Sequence, residues 1–254
     1  HIQNALQYPP LEYAHLPLVL GPDKKRLSKR HDATGLEEYQ LEGYLDSAIL
    51  NTLARLGWSK GDQEVFYMDD LIKNFNIDDI QKAGAVFDRS KLDWLNSQHL
   101  ANLTLSEIKD HLRPYLIDLS IDIDNHLKVD LLIDAMRSSA NTLKGIADDL
   151  IPYYKNVTEY NENAVSKFID EEGLKILKDL RLILSQLEPW DVESLDKILV
   201  DYQRDNNCPV PKVNQPIRIA LTGSTKSPSL GLTLSLYEKE DAINRIDTLI
   251  SYIT

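Results

Sequence analysis

The feature that most constrains what this chain can fold into is the spacing of its apolar residues, which recur every three or four positions along most of its length. Leu45, Ala48, Ile49, Thr52, Leu53 and Leu56 line one face of such a repeat, and Gly57 follows where a left-handed helix end is expected. Thr104, Leu105, Ser106 and Glu107 have the form of a capping box, which opens a helix predicted to stop near Pro114. Leu131, Leu132, Ala135 and Met136 make a further stripe, and Leu143, Ile146, Ala147, Leu150 and Ile151 make the next, closed by Pro152. Residues 171–187 read as a long amphipathic helix ended by Pro189. Asp191 is placed to cap a helix carrying Leu195, Ile198, Leu199 and Tyr202, and the helical run 217–221 ends at Gly223. Period-two alternation is weak, so short β pieces are expected only around 16–20 and 65–68. The expected fold is mainly α with minor β.

At 254 residues the chain can bury one large core or two or three small ones. Periodicity lapses near 120–125 and 156–163, which are candidate linkers, and neither an internal repeat nor a low-complexity tract is present. The single cysteine, Cys208, excludes an internal disulfide and cannot build a thiolate metal site; a reducing cytoplasm is the default compartment and a small residue beside a loop its expected role. No apolar run approaches the roughly 18 residues a membrane span needs, and no signal-peptide pattern stands at the start. His15 and His31 lack a carboxylate or second histidine at metal-ligand spacing, so no metal site is assigned. Trp58 and Trp94 could stack on bases, but each adjoins an apolar stripe and packing is the expectation. No catalytic acid, base or nucleophile is assigned.

Against a formal net charge of -12, Lys24, Lys25, Arg26, Leu27, Ser28, Lys29 and Arg30 put five fixed positive charges into seven residues, opened by Gly21, Pro22 and Asp23. Such a run suits a triphosphate or a nucleic-acid backbone; it also reads as a solvated loop or a basic targeting patch. The acidic balance by itself argues against nucleic acid, since phosphate affinity is driven by Lys and Arg. An asymmetric surface, with base contacts made by polar and stacking groups, reconciles the two.

The order of residues favours one of these readings. Arg26, Leu27, Ser28, Lys29 and Arg30 resemble the second signature loop of the class I aminoacyl-tRNA synthetases in the Lys-Leu-Ser-Lys-Arg form of the glutamate enzymes. Residues 8–20 ahead of the loop are similar to the bacterial glutamyl-tRNA synthetases as well. So are Gly43, Tyr44 and Leu45, then Leu56 to Ser59, Phe87 to Asn96, and 215–224 followed by Ser227 and Pro228. Neither the family's His-Ile-Gly-His signature nor a dinucleotide-type glycine fingerprint occurs in the chain. The sequence thus resembles the C-terminal portion of a bacterial-type glutamyl-tRNA synthetase, without the Rossmann half.

The resemblance implies a division into 1–38, the end of the catalytic domain with the signature loop; 39–120, a stem-contact helical domain; and two helical anticodon-binding bundles, 121–163 and 164–254. It implies an intact enzyme that joins glutamate to tRNA-Glu through an adenylate, using ATP and magnesium, as a cytoplasmic monomer; this part alone is expected to be inactive, to bind neither cofactor, and to contact tRNA. Lys29 matches the lysine that contacts the ATP phosphates. Leu27 and Ser28 would shape the turn, and Arg30 would support phosphate or acceptor-end contacts. Arg26 replaces the usual lysine, and Lys24 and Asp32 stand where glycine is common. Ser227, Pro228 and Leu230 match the loop that approaches the anticodon, although the same residues also suit an ordinary Ser/Pro turn. Arg137 matches the first arginine of an anticodon segment whose next basic position is Ser139 here, and Glu238 replaces a glycine that breaks a helix. The alternative is a noncatalytic helical interaction module derived from a synthetase.

Overall fold

The computed structural model describes residues 1–27, 35–117, 119–125, 128–138 and 140–254, the side chain of Asn125 excepted. The chain divides into two compact units, His1–Leu103 with Asn141–Leu143 and Thr104–Ala140 with Lys144–Thr254.

The first unit runs α1 (Ile2–Ala5), β1 (Val19–Leu20), α2 (Leu36–Leu41), α3 (Asp46–Arg55), α4 (Met68–Asn74), a 3-10 turn (Ile77–Asp79), β2 (Ala85–Val86) and α5 (Arg89–Asn102). Strands β1 and β2 pair in parallel, Val19 opposite Ala85 and Leu20 opposite Val86. The second β piece is therefore not at 65–68. There the Asp70 carboxylate accepts the Tyr67 amide at 3.2 Å and starts α4 at Met68, so a local cap overrides the β-prone composition. Helix α3 ends at Leu56 in right-handed geometry, and Gly57 is not left-handed as expected. Its small size is used instead, because a Cβ there would lie 3.2 Å from Pro17 Cγ.

Among the described residues, this unit has an apolar cluster of Tyr39, Tyr44, Ile49 and Leu92 with Phe87, and another of Trp58, Phe66 and Leu71 with Ala54. Trp58 is buried as expected, but Trp94 is 44% exposed on α5 and does not belong to the core. Buried amides tie the elements together. Asn51 accepts the Phe66 amide at 2.8 Å and donates to the Glu64 carbonyl at 3.1 Å, and its Oδ1 lies 3.2 Å from His99 Nε2. Asn96 accepts the Leu45 amide at 2.8 Å. Burial holds His99 below the ordinary histidine range.

The second unit opens at Thr104 and carries α6 (Leu105–Ile117), a 3-10 turn (Ile123–Asn125), α7 (Val129–Arg137), α8 (Leu143–Tyr154) beyond its first residue, α9 (Glu162–Phe168), α10 (Glu171–Gln186), α11 (Val192–Asp205), α12 (Val210–Thr222), α13 (Leu230–Ser235) and α14 (Lys239–Ile253). No strand occurs in it among the described residues. Helix α12 packs against α9, α10 and α14, and α11 packs against α13. The caps follow the sequence. Glu107 accepts the Thr104 amide at 2.7 Å while Thr104 Oγ1 accepts the Glu107 amide at 3.3 Å, and Asp191 accepts the Ser194 amide at 2.8 Å. Two stops read from proline are corrected. Pro114 and Pro152 lie inside α6 and α8, each within the last turn, where only one ladder bond is forfeited and buried Leu116 and Tyr153 hold the turn closed. Glu238 takes an extended backbone (φ −65°, ψ 146°) at the start of α14, so its side chain meets no left-handed strain. Among the described residues no helix is long and apolar enough to cross a membrane.

Candidate nucleic-acid interface

The cationic run begins on a small hairpin in the first unit. Leu20 faces Arg26 in an antiparallel bridge, the Leu27 amide donates to the Val19 carbonyl at 2.9 Å, and the Gly21 amide donates to the Lys25 carbonyl at 2.8 Å. The tip is closed by the Lys24 amide on the Gly21 carbonyl at 2.9 Å and by the Lys25 amide on Asp23 Oδ1 at 3.0 Å. Lys24 has φ 60°, a left-handed conformation at the position where glycine is expected from the resemblance. The bonds that build this hairpin lie within nine residues, so it is encoded locally. The Lys25 side chain is 85% exposed with its ammonium 4.0 Å from Asp23, and Lys24 and Arg26 are exposed. Ser28, Lys29 and Arg30, with His31 and Asp32, lie outside the described residues. Leu27 is half-buried and anchors the returning limb.

The second candidate loop, 223–229, joins α12 to α13 in the second unit. Gly223 ends α12 with φ 73°, and its carbonyl accepts the Asn161 amide at 2.9 Å. Ser227 and Pro228 are half-buried, and Leu230, placed with them by the sequence, is buried at the first turn of α13. Leu230 therefore packs and does not face solvent. Arg218 holds the loop from α12: Nε donates to Ser227 Oγ at 2.7 Å and Nη2 to the Pro228 carbonyl at 3.1 Å. Thr233 Oγ1 lies 2.9 Å from Ser227 Oγ. Arg218 makes no ion pair among the described residues, and burial lowers its affinity for the proton from the ordinary guanidinium value. Its charge is spent on a hydroxyl and a carbonyl, a planar fork used to shape the loop.

Sequence reasoning gave Arg218 no role. The signal was available, because a charge interrupts the apolar run Ile217, Ile219, Ala220 and Leu221, all four buried. Nearby, burial raises the Asp149 carboxyl above its ordinary range, with the Lys226 ammonium opposing. Arg137 stands elsewhere, as the last residue of α7, with Nη2 2.6 Å from Asp134. Ser139 lies outside the described residues. Cys208 is a half-buried free thiol 3.5 Å from the Asn206 carbonyl. The described His, Cys, Asp and Glu residues form no group of three or more that could hold a metal ion.

A protein-family model for the anticodon binding domain matches residues 107–250, and one for the catalytic domain of class I tRNA synthetases (E and Q) matches residues 1–94. The chain is 36% identical over 253 residues to glutamate–tRNA ligase 2 of Halorhodospira halophila, covering 100% of this chain and 54% of that protein. It is also 36% identical over 259 residues to a glutamate–tRNA ligase of Thermodesulfovibrio yellowstonii, covering 98% of this chain and 55% of the relative. A solved glutamate tRNA ligase from Elizabethkingia meningosepticum, in complex with its amino acid, superposes with a TM-score of 0.80 at 27% identity, over 100% of this chain and 54% of the other. The chain spans about half the length of the curated relatives it matches.

Proposed function

This chain belongs to the glutamate–tRNA ligase family through its anticodon-binding domain, and on that premise we propose that it supplies the tRNA-holding portion of a ligase that joins glutamate to tRNA-Glu. The observation that carries this is the matching of both a class I catalytic-domain model and an anticodon-domain model on one chain, each over a unit with a candidate loop. The four functional divisions, 1–38, 39–120, 121–163 and 164–254, are part of the same proposal.

In this reading the hairpin at 19–27 launches the cationic segment toward ATP phosphates. The Lys29 ammonium is an electrostatic clamp on the charge that develops when the glutamate carboxylate attacks, worth a few kcal/mol in the transition state. Arg26 adds a second cation on the returning limb, and Arg30 supports phosphate or acceptor-end contacts. The loop holding Ser227 and Pro228 presents backbone and small polar groups to unstacked anticodon bases, for which shape matters more than charge. Arg137 is proposed for the same bases; contact with them would require it to leave Asp134, 2.6 Å away.

Two measurements test the reading. A titration with tRNA-Glu and with an unrelated tRNA should give preferential binding that weakens as salt rises; equal affinity for both would overturn it and favour a general interaction module. In the whole enzyme, Lys29→Ala should slow ATP–pyrophosphate exchange dependent on glutamate, and an undiminished rate would remove the clamp.

A further inference from the structure

Helix α13 is six residues long and follows the loop of Ser227 and Pro228 directly. So short a helix is marginal by itself and must be held by its neighbours. At its first turn the Gly231 amide donates to Asp196 Oδ1 at 3.1 Å, across from α11. At its last turn the Lys128 ammonium donates to the Ser235 carbonyl. A carboxylate therefore sits at the amide end and an ammonium at the carbonyl end, the two placements that favour a helix dipole, and each satisfies a group the helix cannot bond internally. The approach at the first end is close: a Cβ on Gly231 would lie 2.1 Å from Asp196 Oδ1 and 2.5 Å from its Cγ, so any larger residue at 231 would push the carboxylate from this position.

Lys128 is also the residue from which α7 departs, and α7 ends at Arg137. The Lys128–Ser235 hydrogen bond thus links the two candidate anticodon elements of this unit, through a helix whose other end is fixed by Asp196. We propose that Asp196 and Lys128 are positioning residues that clamp α13 at both ends and set the spacing between the Ser227 and Pro228 turn and Arg137. The inference rests on the reading of that turn as an anticodon contact. Neither residue touches the RNA in this scheme; they act through the backbone they hold.

The test is the ratio of affinities of the full chain for a tRNA-Glu transcript and for the same transcript with its anticodon replaced, since a loss of folding alone would weaken both equally. Asp196→Ala and Lys128→Met should each lower that ratio about tenfold, the scale of losing one charge-assisted bond. Asp196→Asn, whose Oδ1 still accepts the Gly231 amide, and Lys128→Arg should keep it near the unsubstituted value. If Asp196→Ala fails to fold, Gly231→Ala displaces the carboxylate directly and is expected to lower the ratio in the same way. A ratio well above one in the unsubstituted chain that both Asp196→Ala (or Gly231→Ala) and Lys128→Met leave intact would overturn the clamp alone. A ratio of one in the unsubstituted chain would overturn the anticodon reading on which the clamp depends.

Discussion

The hairpin of the first unit and the 223–229 loop of the second both contain a left-handed residue, yet they are built on opposite principles. The hairpin is closed by backbone bonds and one Asx contact among near neighbours, and its cations project into solvent. The other loop also has a local turn, the Lys226 amide on Ser224 Oγ at 3.2 Å, but it is held further by side chains from outside it, Arg218 on α12 and Thr233 on α13, and its one exposed cation is Lys226. Under the proposed function, the hairpin segment would meet phosphates, which calls for charge and freedom to close, so local closure suffices. The 223–229 loop would meet base edges, which calls for a fixed shape, and fixing a shape takes bonds from well-packed elements.

Substitutions at the two left-handed residues probe that contrast most strongly. Gly223 has φ 73°, and a Cβ there would lie 2.7 Å from the Glu159 carbonyl oxygen, a backbone atom that cannot step aside. Gly223→Ala is expected to destabilise the second unit by about 3 kcal/mol, left-handed strain and overlap acting together. Urea unfolding followed by circular dichroism would show it; a change under about 1 kcal/mol would mean the loop is as loosely built as the hairpin. Next in size is Arg218→Lys. One ammonium cannot reproduce the two bonds of the fork, so a loss of about 1–2 kcal/mol is expected. Full stability in that variant would show that packing, not the fork, shapes the loop.

The same contrast explains what could be read in the sequence. Helices α3, α6, α7, α8, α10, α11 and α12 were legible because their stripes and caps are local, as at Thr104 with Glu107 and at Asp191. The cationic turn was legible for that reason too, opened by Gly21 and Pro22, while the expectation of a glycine where Lys24 stands at φ 60° came from the family resemblance. What the sequence did not disclose depends on partners far along the chain. The bond of Asp196 to Gly231 spans 35 residues, that of Asn51 to His99 spans 48, and the pairing of β1 with Ala85 and Val86 spans more still. The prolines misled because a proline late in a helix costs one bond, which Leu116 and Tyr153 outweigh by burial. Trp94 is not in the core, because a tryptophan beside a stripe need not lie on it; packing at an interface, the other half of that expectation, is not tested by its exposure.

The first unit has non-local tethers of its own, and pH separates one of them, the His99–Asn51 contact, from the hairpin. His99 is buried beside Asn51, and among the described residues its Nδ1 has no hydrogen-bond partner. Burial lowers its folded value, so the unfolded chain takes up the proton more readily. Stability attributable to His99 is complete above the unfolded value of about 6.5, falls as pH drops below it by at most about 1.4 kcal/mol per pH unit, and levels off below the folded value. Comparing the pH dependence of unfolding for the unsubstituted chain and His99→Gln should show a shallower acid slope in the variant. Identical slopes would show that protonation of His99 is not resisted by the fold.

The smallest effect expected is at the hairpin tip, and it runs in the opposite sense to Gly223. Lys24 bears a Cβ in a left-handed conformation, where a side chain costs about 1 kcal/mol or more, while glycine adopts it freely. Lys24→Gly removes that strain but gives the unfolded chain more freedom, so the net gain should be under about 1 kcal/mol. The hairpin bonds, from Leu27 to Val19 and from Gly21 to Lys25, need no side chain at residue 24 and should survive. Denaturant midpoints with an unchanged slope would register the gain. A loss of stability instead would mean that the Lys24 side chain makes a contact worth more than its backbone strain, and the hairpin would then depend on side-chain tethers much as the 223–229 loop does.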